Sequence, residues 1–302
     1  MKSNRRSFIK SAGLLTGISM LPMQEVLAML FSDEQAWRMT NLRGNVGLFT
    51  ERGGTIGWMI SPNGIVVIDS QYREQAEHLI GEIRTRSLLK VDILFNTHHH
   101  GDHTAGNVAF KLLAGHIVAH ENSKKNQVAA VQRRGNSIEQ VYPDLTFANT
   151  FQRKIGDETI RAYYFGPAHT DGDSIIHFEK DNVVHVGDLI FNRRYPFIDK
   201  AAGASIENWI SVLEKTRNQF DNDTIFIFGH ANEGYPVSGN KEDLKAMENY
   251  LASLLNYMTR EMKSGKSLDE LLKTKSIPGA EEWTGKGIER SINSAWEELI
   301  ND

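Results

Sequence analysis

Four potential metal ligands stand within six residues of the chain, and their spacing constrains the fold more than any other feature. They form a His-x-His-x-Asp-His pattern at His98, His100, Asp102 and His103. The pattern directly follows residues 91–96, an apolar run typical of a buried strand. Packing several imidazoles together costs charge repulsion and desolvation unless a metal keeps them neutral. Because imidazole and carboxylate ligands suit zinc or a similar transition metal, the pattern predicts a metal-binding loop at a strand end.

The composition is that of an ordinary soluble globular protein. Of the 302 residues, 40% are hydrophobic and 24% are charged. The net charge is -4 and no long block carries a single sign, so nothing favours nucleic acid as a partner. The chain has no cysteine, which excludes disulfides, thiolate zinc sites and a cysteine nucleophile.

The N-terminus resembles a twin-arginine export signal. Arg5 and Arg6 precede a modest apolar stretch at residues 12–23, and small residues suited to cleavage follow at 26–28. The apolar stretch is too short, and too rich in Gly and Ser, for a stable membrane span. The alternative is a disordered basic tail.

This resemblance sets expectations for organisation and location. We expect residues 1–28 to be a signal peptide and residues 29–302 to be one domain. The partners would be the export machinery and a small-molecule substrate, with no nucleic acid and no stable membrane anchor. The mature protein would be periplasmic or secreted, from a bacterium.

The remainder of the chain alternates between apolar runs and amphipathic stretches. The runs predict strands at 46–50, 55–60, 64–69, 91–96, 116–119, 158–165, 174–178, 183–187 and 224–229. The amphipathic stretches predict helices at 72–89, 108–113, 121–134, 205–220, 241–265, 268–275 and 287–300. No acidic residue stands at the third position of the helix at 205–220, so its N-terminal cap is predicted to be weak. Strands with one helical layer in each half predict an α/β fold, a four-layer α/β/β/α sandwich of two mixed sheets with outer helices.

Three later residues have the same placement as the metal loop. His169 lies in a turn directly after a predicted strand, while Asp188 and His230 directly follow the ends of two others. Each alone is more often a residue of a surface loop. Together they place ligand types at the C-terminal ends of strands, where the sites of α/β proteins form.

With these residues in view, the chain resembles the metallo-β-lactamase-fold hydrolases over roughly residues 40 to 300. The match rests on residues 97–103, then His169, Asp188 and His230 in the family's order. The resemblance implies a centre of two zinc ions whose ligands are His98, His100 and His169 for one ion, Asp102, His103 and His230 for the other, and Asp188 bridging both. It also implies that Asp69, at the end of an early strand, orients a ligand histidine.

The resemblance implies hydrolytic chemistry. Two divalent cations about 3.5–4 Å apart lower the pKa of a bridging water from about 15.7 to about 7, which supplies hydroxide near neutral pH. This hydroxide would attack an ester, thioester, lactone or amide carbonyl, and Asp102 would move a proton to the leaving group. True zinc β-lactamases carry Cys or Ser at the position of Asp188, whereas Asp is similar to hydroxyacylglutathione hydrolases and lactonases. The alternatives are a β-lactamase, a phosphodiesterase of the same fold, and a catalytically silent metal-binding module.

Other conspicuous residues receive simpler interpretations. His99 is expected to point away from the metals, and His116 and His120 to lie on the surface. The turn Arg52-Gly53-Gly54 is either a mobile flap or a plain hairpin. The pair Arg193-Arg194 either attracts an anionic substrate or is simply solvated. The aromatic side chains Trp58, Tyr195 and Phe197 are expected to pack in the core rather than line a cleft.

Overall fold

The computed structural model describes residues 37–135 and 139–301, so the predicted signal segment 1–28 lies outside the described residues. The strands are β1 Arg38–Arg43, β2 Val46–Thr50, β3 Ile56–Ser61, β4 Gly64–Ile68, β5 Val91–Asn96, β6 Ala114–His120, β7 Leu145–Phe147, β8 Thr150–Ile155, β9 Glu158–Tyr163, β10 Ile175–Phe178, β11 Val183–His185, β12 Phe191–Asn192, β13 Ile225–Ile227, β14 His230–Ala231 and β15 Ser238–Gly239.

Helices occupy the connections between these strands and the C-terminal part of the chain. They are α1 Arg73–Arg86, α2 Gly101–Thr104, α3 Asn107–Phe110, α4 Glu121–Arg134, α5 Ile206–Gln219, α6 Lys241–Lys263, α7 Leu268–Leu271 and α8 Ile288–Asn301. Two 3₁₀ turns lie at Gly187–Leu189 and Lys200–Ala202. Among the described residues, none of the helices combines the length and apolarity that a membrane crossing requires.

Two mixed sheets form the centre of the fold. The first contains seven strands in the order β1 to β7, antiparallel from β2 to β4 and parallel from β4 to β7. The second has the order β15-β13-β11-β10-β9-β8, in which only β11 and β13 pair in parallel. The predicted four-layer sandwich of two mixed sheets is therefore confirmed.

Apolar side chains from both sheets meet in one core. Val66, Ile93 and Phe95 come from the first sheet, and Ile176 and Phe178 come from the second. Because β4 and β5 lie inside their sheet with both faces covered, they are apolar almost throughout, as parallel strands usually are.

A second core lies between the second sheet and the C-terminal helices. Its longest helix, α6, turns a stripe of side chains inward at Leu244, Met247, Leu251, Leu254 and Met258, spaced three and four residues apart. Asn240 caps this helix in a capping box with Asp243.

The N-terminus of α5 is capped from a distance. The Ser205 hydroxyl accepts from Asn208 N at 3.1 Å, as its position in the sequence predicts. The missing acidic residue is supplied by Glu298 of α8, whose buried carboxylate accepts from the backbone N–H groups of Ile206 at 2.8 Å and Glu207 at 3.0 Å. The prediction of a weak cap was therefore wrong, because the acid stands 92 residues away in the sequence.

The predicted elements occur with boundaries shifted by a few residues. The strands that sequence patterns missed are β1, β7, β8 and the two-residue strands β12, β14 and β15. β8 was not predicted because it lacks an apolar run: its residues, Thr-Phe-Gln-Arg-Lys-Ile, are mostly exposed and polar.

Candidate metal centre

The candidate ligands lie at one edge of the sandwich because the strands that precede them end there. β4 and β5 are parallel neighbours, so Asp69 and the residues after Asn96 leave the first sheet side by side. β11 and β13 are parallel neighbours in the second sheet and lead to Asp188 and His230. Part of the metal loop is helical, since Asp102 and His103 belong to α2.

The ligand atoms fall into two sets, each with its atoms within 4.8 Å of one another. The first set is His98, His100, His169 and Asp188, and the second is Asp102, His103 and His230. The structure thus brings all seven predicted residues together, grouped as the resemblance implies. Either set can hold a metal ion.

The Asp188 carboxylate lies between the two sets. Its Oδ2 is 3.8 Å from His98 Nε2 and 3.6 Å from His169 Nε2, both in the first set. The same oxygen is 3.4 Å from His230 Nε2, and Oδ1 is 3.1 Å from His103 Nε2. One carboxylate therefore faces both groups, which is the placement a bridging ligand requires.

Asp69 and Thr97 orient two of the imidazoles. Asp69 Oδ2 lies 2.7 Å from His103 Nδ1 and accepts from the Thr97 hydroxyl at 2.6 Å. Thr97 Oγ1 is in turn 3.0 Å from His98 Nδ1. These contacts leave Nε2 of both histidines facing the centre, as buried carboxylates commonly arrange for ligand histidines.

Two further carboxylates orient histidines of the first set, and sequence reasoning missed this role for both. Asp173 Oδ1 lies 3.1 Å from His169 Nδ1 and so fixes the orientation of that ring. Asp199 Oδ2 lies 2.9 Å from His100 Nε2, although 99 residues separate them in the sequence. No sequence pattern around Asp199 predicts this contact. The residue also caps the 3₁₀ turn at Lys200–Ala202.

Two ring nitrogens of the first set lack a hydrogen-bond partner among the described residues. They are His98 Nε2 and His169 Nε2, in side chains with no solvent exposure. A buried polar atom without a partner is costly, typically by about 1–3 kcal/mol. A metal ion that accepts the lone pairs of these nitrogens would remove that cost, so the two donors fit a cation.

The electrostatics of the two sets differ. Burial lowers the pKa of His98 well below its ordinary value and that of His100 to about 4, so both imidazoles stay neutral, the form that binds metals. Burial also lowers the pKa of His103, but Asp188 and Asp69 raise it more, and it ends well above its ordinary value. Burial raises the pKa of Asp188, yet the surrounding imidazoles hold it well below its usual range. The carboxylates around His103 therefore stabilise a positive charge at the second set.

The turn between β2 and β3 is fastened to this centre. Gly54 is buried and donates its N–H to Asp102 O at 3.0 Å, while its own carbonyl accepts from Gln71 Nε2 at 2.5 Å. Thr55 N donates to Gly229 O at 2.9 Å. Of the two predicted alternatives, the structure shows the hairpin, since β2 and β3 pair antiparallel, and these hydrogen bonds tie its turn to the metal centre.

A cleft of about 400 Å³ opens over the centre. It is lined by Asp102, Asp188 and His230, and also by Tyr195 and Phe197. Tyr195 is buried in the core, as expected, and one edge of it reaches the cleft. The expectation was wrong for Phe197, which is 38% exposed because the segment after β12 crosses the edge of the site. The third aromatic residue, Trp58, is buried as expected.

Of His99, His116 and His120, which lie outside the two ligand sets, only His120 differs from expectation. His99 is buried beside a neighbouring cavity of about 310 Å³, with Nε2 3.5 Å from Asp199 Oδ2. His120 is buried, stacked on Tyr164 and capping α4, rather than on the surface. His116 is exposed as predicted and lies 2.7 Å from Asp144.

His185 connects the two sheets beneath the centre and is expected to make stability depend on pH. Its Nε2 donates to Thr55 O and its Nδ1 accepts from Gly187 N, both at 3.1 Å, and burial lowers its pKa to about 4. An unfolded histidine titrates near pH 6.5, so between about pH 6.5 and 4 the unfolded chain binds the extra proton. The free energy of unfolding should fall by about 3 kcal/mol as pH drops through this window.

The measurement is urea unfolding of metal-free protein at several pH values, with His185→Gln as the comparison. Gln keeps a donor for Thr55 but does not titrate. The variant should have a pH dependence flatter than wild type by roughly that amount. Parallel pH profiles would show that His185 is not the titrating group.

Comparisons with known proteins agree with this geometry. The sequence model of the metallo-beta-lactamase superfamily matches residues 50–230. The chain is 25% identical to metallo-beta-lactamase IND-1 of Chryseobacterium indologenes over 57% of this chain and 70% of that protein. It is 22% identical to the metallo-beta-lactamase type 2 of Bacillus cereus over 65% of this chain and 77% of that protein. A hydroxyacylglutathione hydrolase of Maricaulis maris is 29% identical, over 32% of this chain and 33% of its own length.

Solved structures show the same fold. A metallo-beta-lactamase from Pontibacter korlensis superposes with a TM-score of 0.58 at 20% identity, covering 72% of this chain and 99% of that one. A double mutant of the sec-alkyl sulfatase PisA1 superposes with a TM-score of 0.69 at 14% identity, covering 87% of this chain and 50% of that one.

The family match spans more than half of the chain, so the chain belongs to the metallo-beta-lactamase superfamily. It is a metal-dependent hydrolase of that superfamily, with a His/Asp cluster that can bind metal.

Proposed function

We propose that the protein is a dinuclear zinc hydrolase acting on an ester, thioester, lactone or amide carbonyl. The observation that carries the proposal is the position of Asp188, within 3.1–3.8 Å of four imidazole nitrogens in both ligand sets. A single metal ion does not use seven ligands, whereas two ions that share one carboxylate do. The donors are nitrogen and oxygen, which suits zinc.

Bound metal would supply hydroxide near neutral pH and polarise the substrate carbonyl oxygen. The chain's own residues then determine orientation and proton movement. Asp69, Asp173 and Asp199 fix three ligand histidines through the ring nitrogen that faces away from the centre.

Asp102 is placed for proton transfer. Its carboxylate lies 3.2 Å from His230 Nε2, yet its side chain is 29% exposed and lines the cleft. Asp188, in contrast, is 4% exposed and enclosed by imidazoles. Asp102 is therefore the carboxylate that reaches a bound substrate, and we assign to it the proton delivered to the leaving group.

A β-lactamase is the second candidate. Two relatives that align over most of their own length are named metallo-beta-lactamases, which favours this activity. The Asp at position 188 instead supports esters, thioesters or lactones, by its similarity to hydroxyacylglutathione hydrolases and lactonases. We rank esters, thioesters and lactones above β-lactams, because residue 188 is an Asp whose carboxylate faces both ligand sets.

A substrate panel tests the proposal. Zinc-loaded protein is assayed against an aryl ester, a lactone, a thioester, a β-lactam and a phosphodiester, with the metal-stripped protein as control. We expect metal-dependent turnover of at least one of the first three, at a kcat/KM above that for the β-lactam. Cleavage of the phosphodiester alone, or no turnover of any substrate, would contradict the assignment.

We also propose that the protein is exported. The support is the sequence Arg5-Arg6 ahead of a short apolar stretch. Replacing both residues by Lys should retain the precursor in the cytoplasm, because a lysine ammonium lacks the planar guanidinium that the pathway reads. Cell fractionation with immunoblotting measures the result. An unchanged periplasmic yield in the double variant would refute the export signal.

A further inference from the structure

The consecutive arginines that follow β12 have different surroundings. Arg193 has a φ of 57° and an 18% exposed side chain, with its guanidinium over the Trp283 ring. Its Nε is 3.1 Å from Glu282, so Arg193 holds the C-terminal segment against the loop. Arg194 is exposed, and no described carboxylate lies within 4.0 Å of its guanidinium. Of these two arginines, Arg194 is the one whose guanidinium is free to bind a ligand.

A second available arginine comes from α8. Arg290 is exposed, its guanidinium lies over the Phe197 ring at 5.6 Å, and no described carboxylate is within 4.0 Å of it. Phe197 itself is 38% exposed at the wall of the cleft. A cation on an exposed aromatic face keeps most of its donors free.

Arg290 is held at the cleft by the docking of its helix. On the same face of α8, Ser291 donates to Pro196 O at 3.4 Å and Ser294 to Ile198 O at 3.3 Å. One turn further, Glu298 is 3.1 Å from Lys200 and caps α5. These contacts fix α8 to the loop that crosses the edge of the metal centre.

Arg194 and Arg290 line the same cleft as Asp102, Asp188 and His230. Neither guanidinium has a carboxylate within 4.0 Å among the described residues, so both keep donors for an anion that enters the cleft. Guanidinium forms strong, often bidentate, hydrogen bonds to oxyanions. The opening over the metal centre thus has a cationic wall.

We propose that Arg194 and Arg290 form a subsite for an oxyanion, a carboxylate or a sulfonate-like group, carried by the substrate away from its scissile bond. This inference rests on the proposed function, and it narrows the substrate class to anionic esters, thioesters, lactones or amides. Arg290 lies outside the segment that matches the family, residues 50–230, so it is a feature of this chain's C-terminal helix.

Matched substrates test the subsite. Phenyl acetates with a para carboxylate or sulfonate place the charge on the leaving group, and the para carboxamide is their neutral partner. Phenyl hemisuccinate places the charge on the acyl chain, and its primary amide is the neutral partner. The variants are Arg194→Met, Arg290→Met and the double variant. Arg153→Met, at an exposed residue of β8, is the matched control.

We expect wild type to prefer at least one anionic substrate over its neutral partner. The double variant should lose roughly 10- to 100-fold in kcat/KM on that substrate, mainly through KM, and less than about twofold on the neutral one. The carboxylate and sulfonate versions distinguish the two oxyanions. Equal kcat/KM for anionic and neutral substrates in wild type, or equal losses on both in the double variant, would overturn the subsite.

A binding measurement separates this inference from the proposed function. Calorimetry compares 4-hydroxybenzoate, 4-hydroxybenzenesulfonate and hydrogen succinate monoamide with 4-hydroxybenzamide on wild type and the double variant. Should wild type hydrolyse no ester, the proposed function fails, and an anion affinity that falls at least tenfold in the double variant still supports the subsite. Affinities unchanged by the substitutions would refute it.

Discussion

Asp102→Asn is expected to reduce turnover by about two orders of magnitude or more while the first metal stays bound. The first ligand set, His98, His100, His169 and Asp188, is untouched by the change. Asn keeps the shape of the side chain, but it is a weaker metal ligand and accepts no proton. Steady-state kinetics and metal analysis at saturating zinc measure the two effects.

Leaving groups distinguish the two reasons for this loss. A 4-nitrophenolate leaves without needing a proton, whereas an aliphatic alkoxide needs one. Proton delivery by Asp102 therefore predicts a larger loss on alkyl esters than on nitrophenyl esters. An equal loss on both would mean that Asp102 acts only in holding metal.

His99→Gln is the control within the same motif. His99 lies 3.5 Å from Asp199 and belongs neither to the first ligand set nor to the second. We therefore expect less than a tenfold loss of turnover. An inactive His99 variant beside a nearly active Asp102 variant would show that the chemistry belongs to the other residue.

The second large effect is expected for Gly54→Ala. A Cβ on Gly54 would overlap the His103 imidazole, which is fully buried and fixed by Asp69 at 2.7 Å. The ring therefore has no room to move, and the N–H of Gly54 that supports Asp102 O must shift as well. We expect loss of the second metal and a fall in turnover of about 100-fold or more.

Gly81→Ala is the matched control for this substitution. Gly81 lies within α1, and a Cβ there meets nothing within 4 Å. Alanine should leave activity unchanged and stabilise the helix by about 0.5–1 kcal/mol. Full second-site occupancy and activity in Gly54→Ala would contradict the proposed contact with His103.

Local sequence signals identified most of the sandwich and all seven candidate ligands. Buried parallel strands such as β4 and β5 are apolar along almost their whole length, and the helix α6 has its stripe at helical spacing. The candidate ligands follow strand ends, so their placement is a consequence of strand direction. His98, His100, Asp102 and His103 also lie close together in the sequence.

Contacts between residues distant in sequence could not be predicted in the same way. Asp199 reaches His100 across 99 residues, and Glu298 reaches the N-terminus of α5 across 92. Each has no local pattern, because its role is set by the packing of a loop or of α8. The difference between Arg193 and Arg194 was not predictable for the same reason. They are consecutive residues of one type, and the contact of Arg193 with Glu282 depends on how the C-terminal segment packs.

Metal stoichiometry tests the central claim most directly. Protein purified with zinc and dialysed against trace metal is analysed by inductively coupled plasma mass spectrometry, alongside Asp188→Ala. Wild type should hold close to two equivalents, and the variant about one, because Asp188 is the carboxylate that faces both sets. Wild type that holds one equivalent or fewer when zinc is in excess, with Asp188→Ala unchanged from it, would contradict a dinuclear centre.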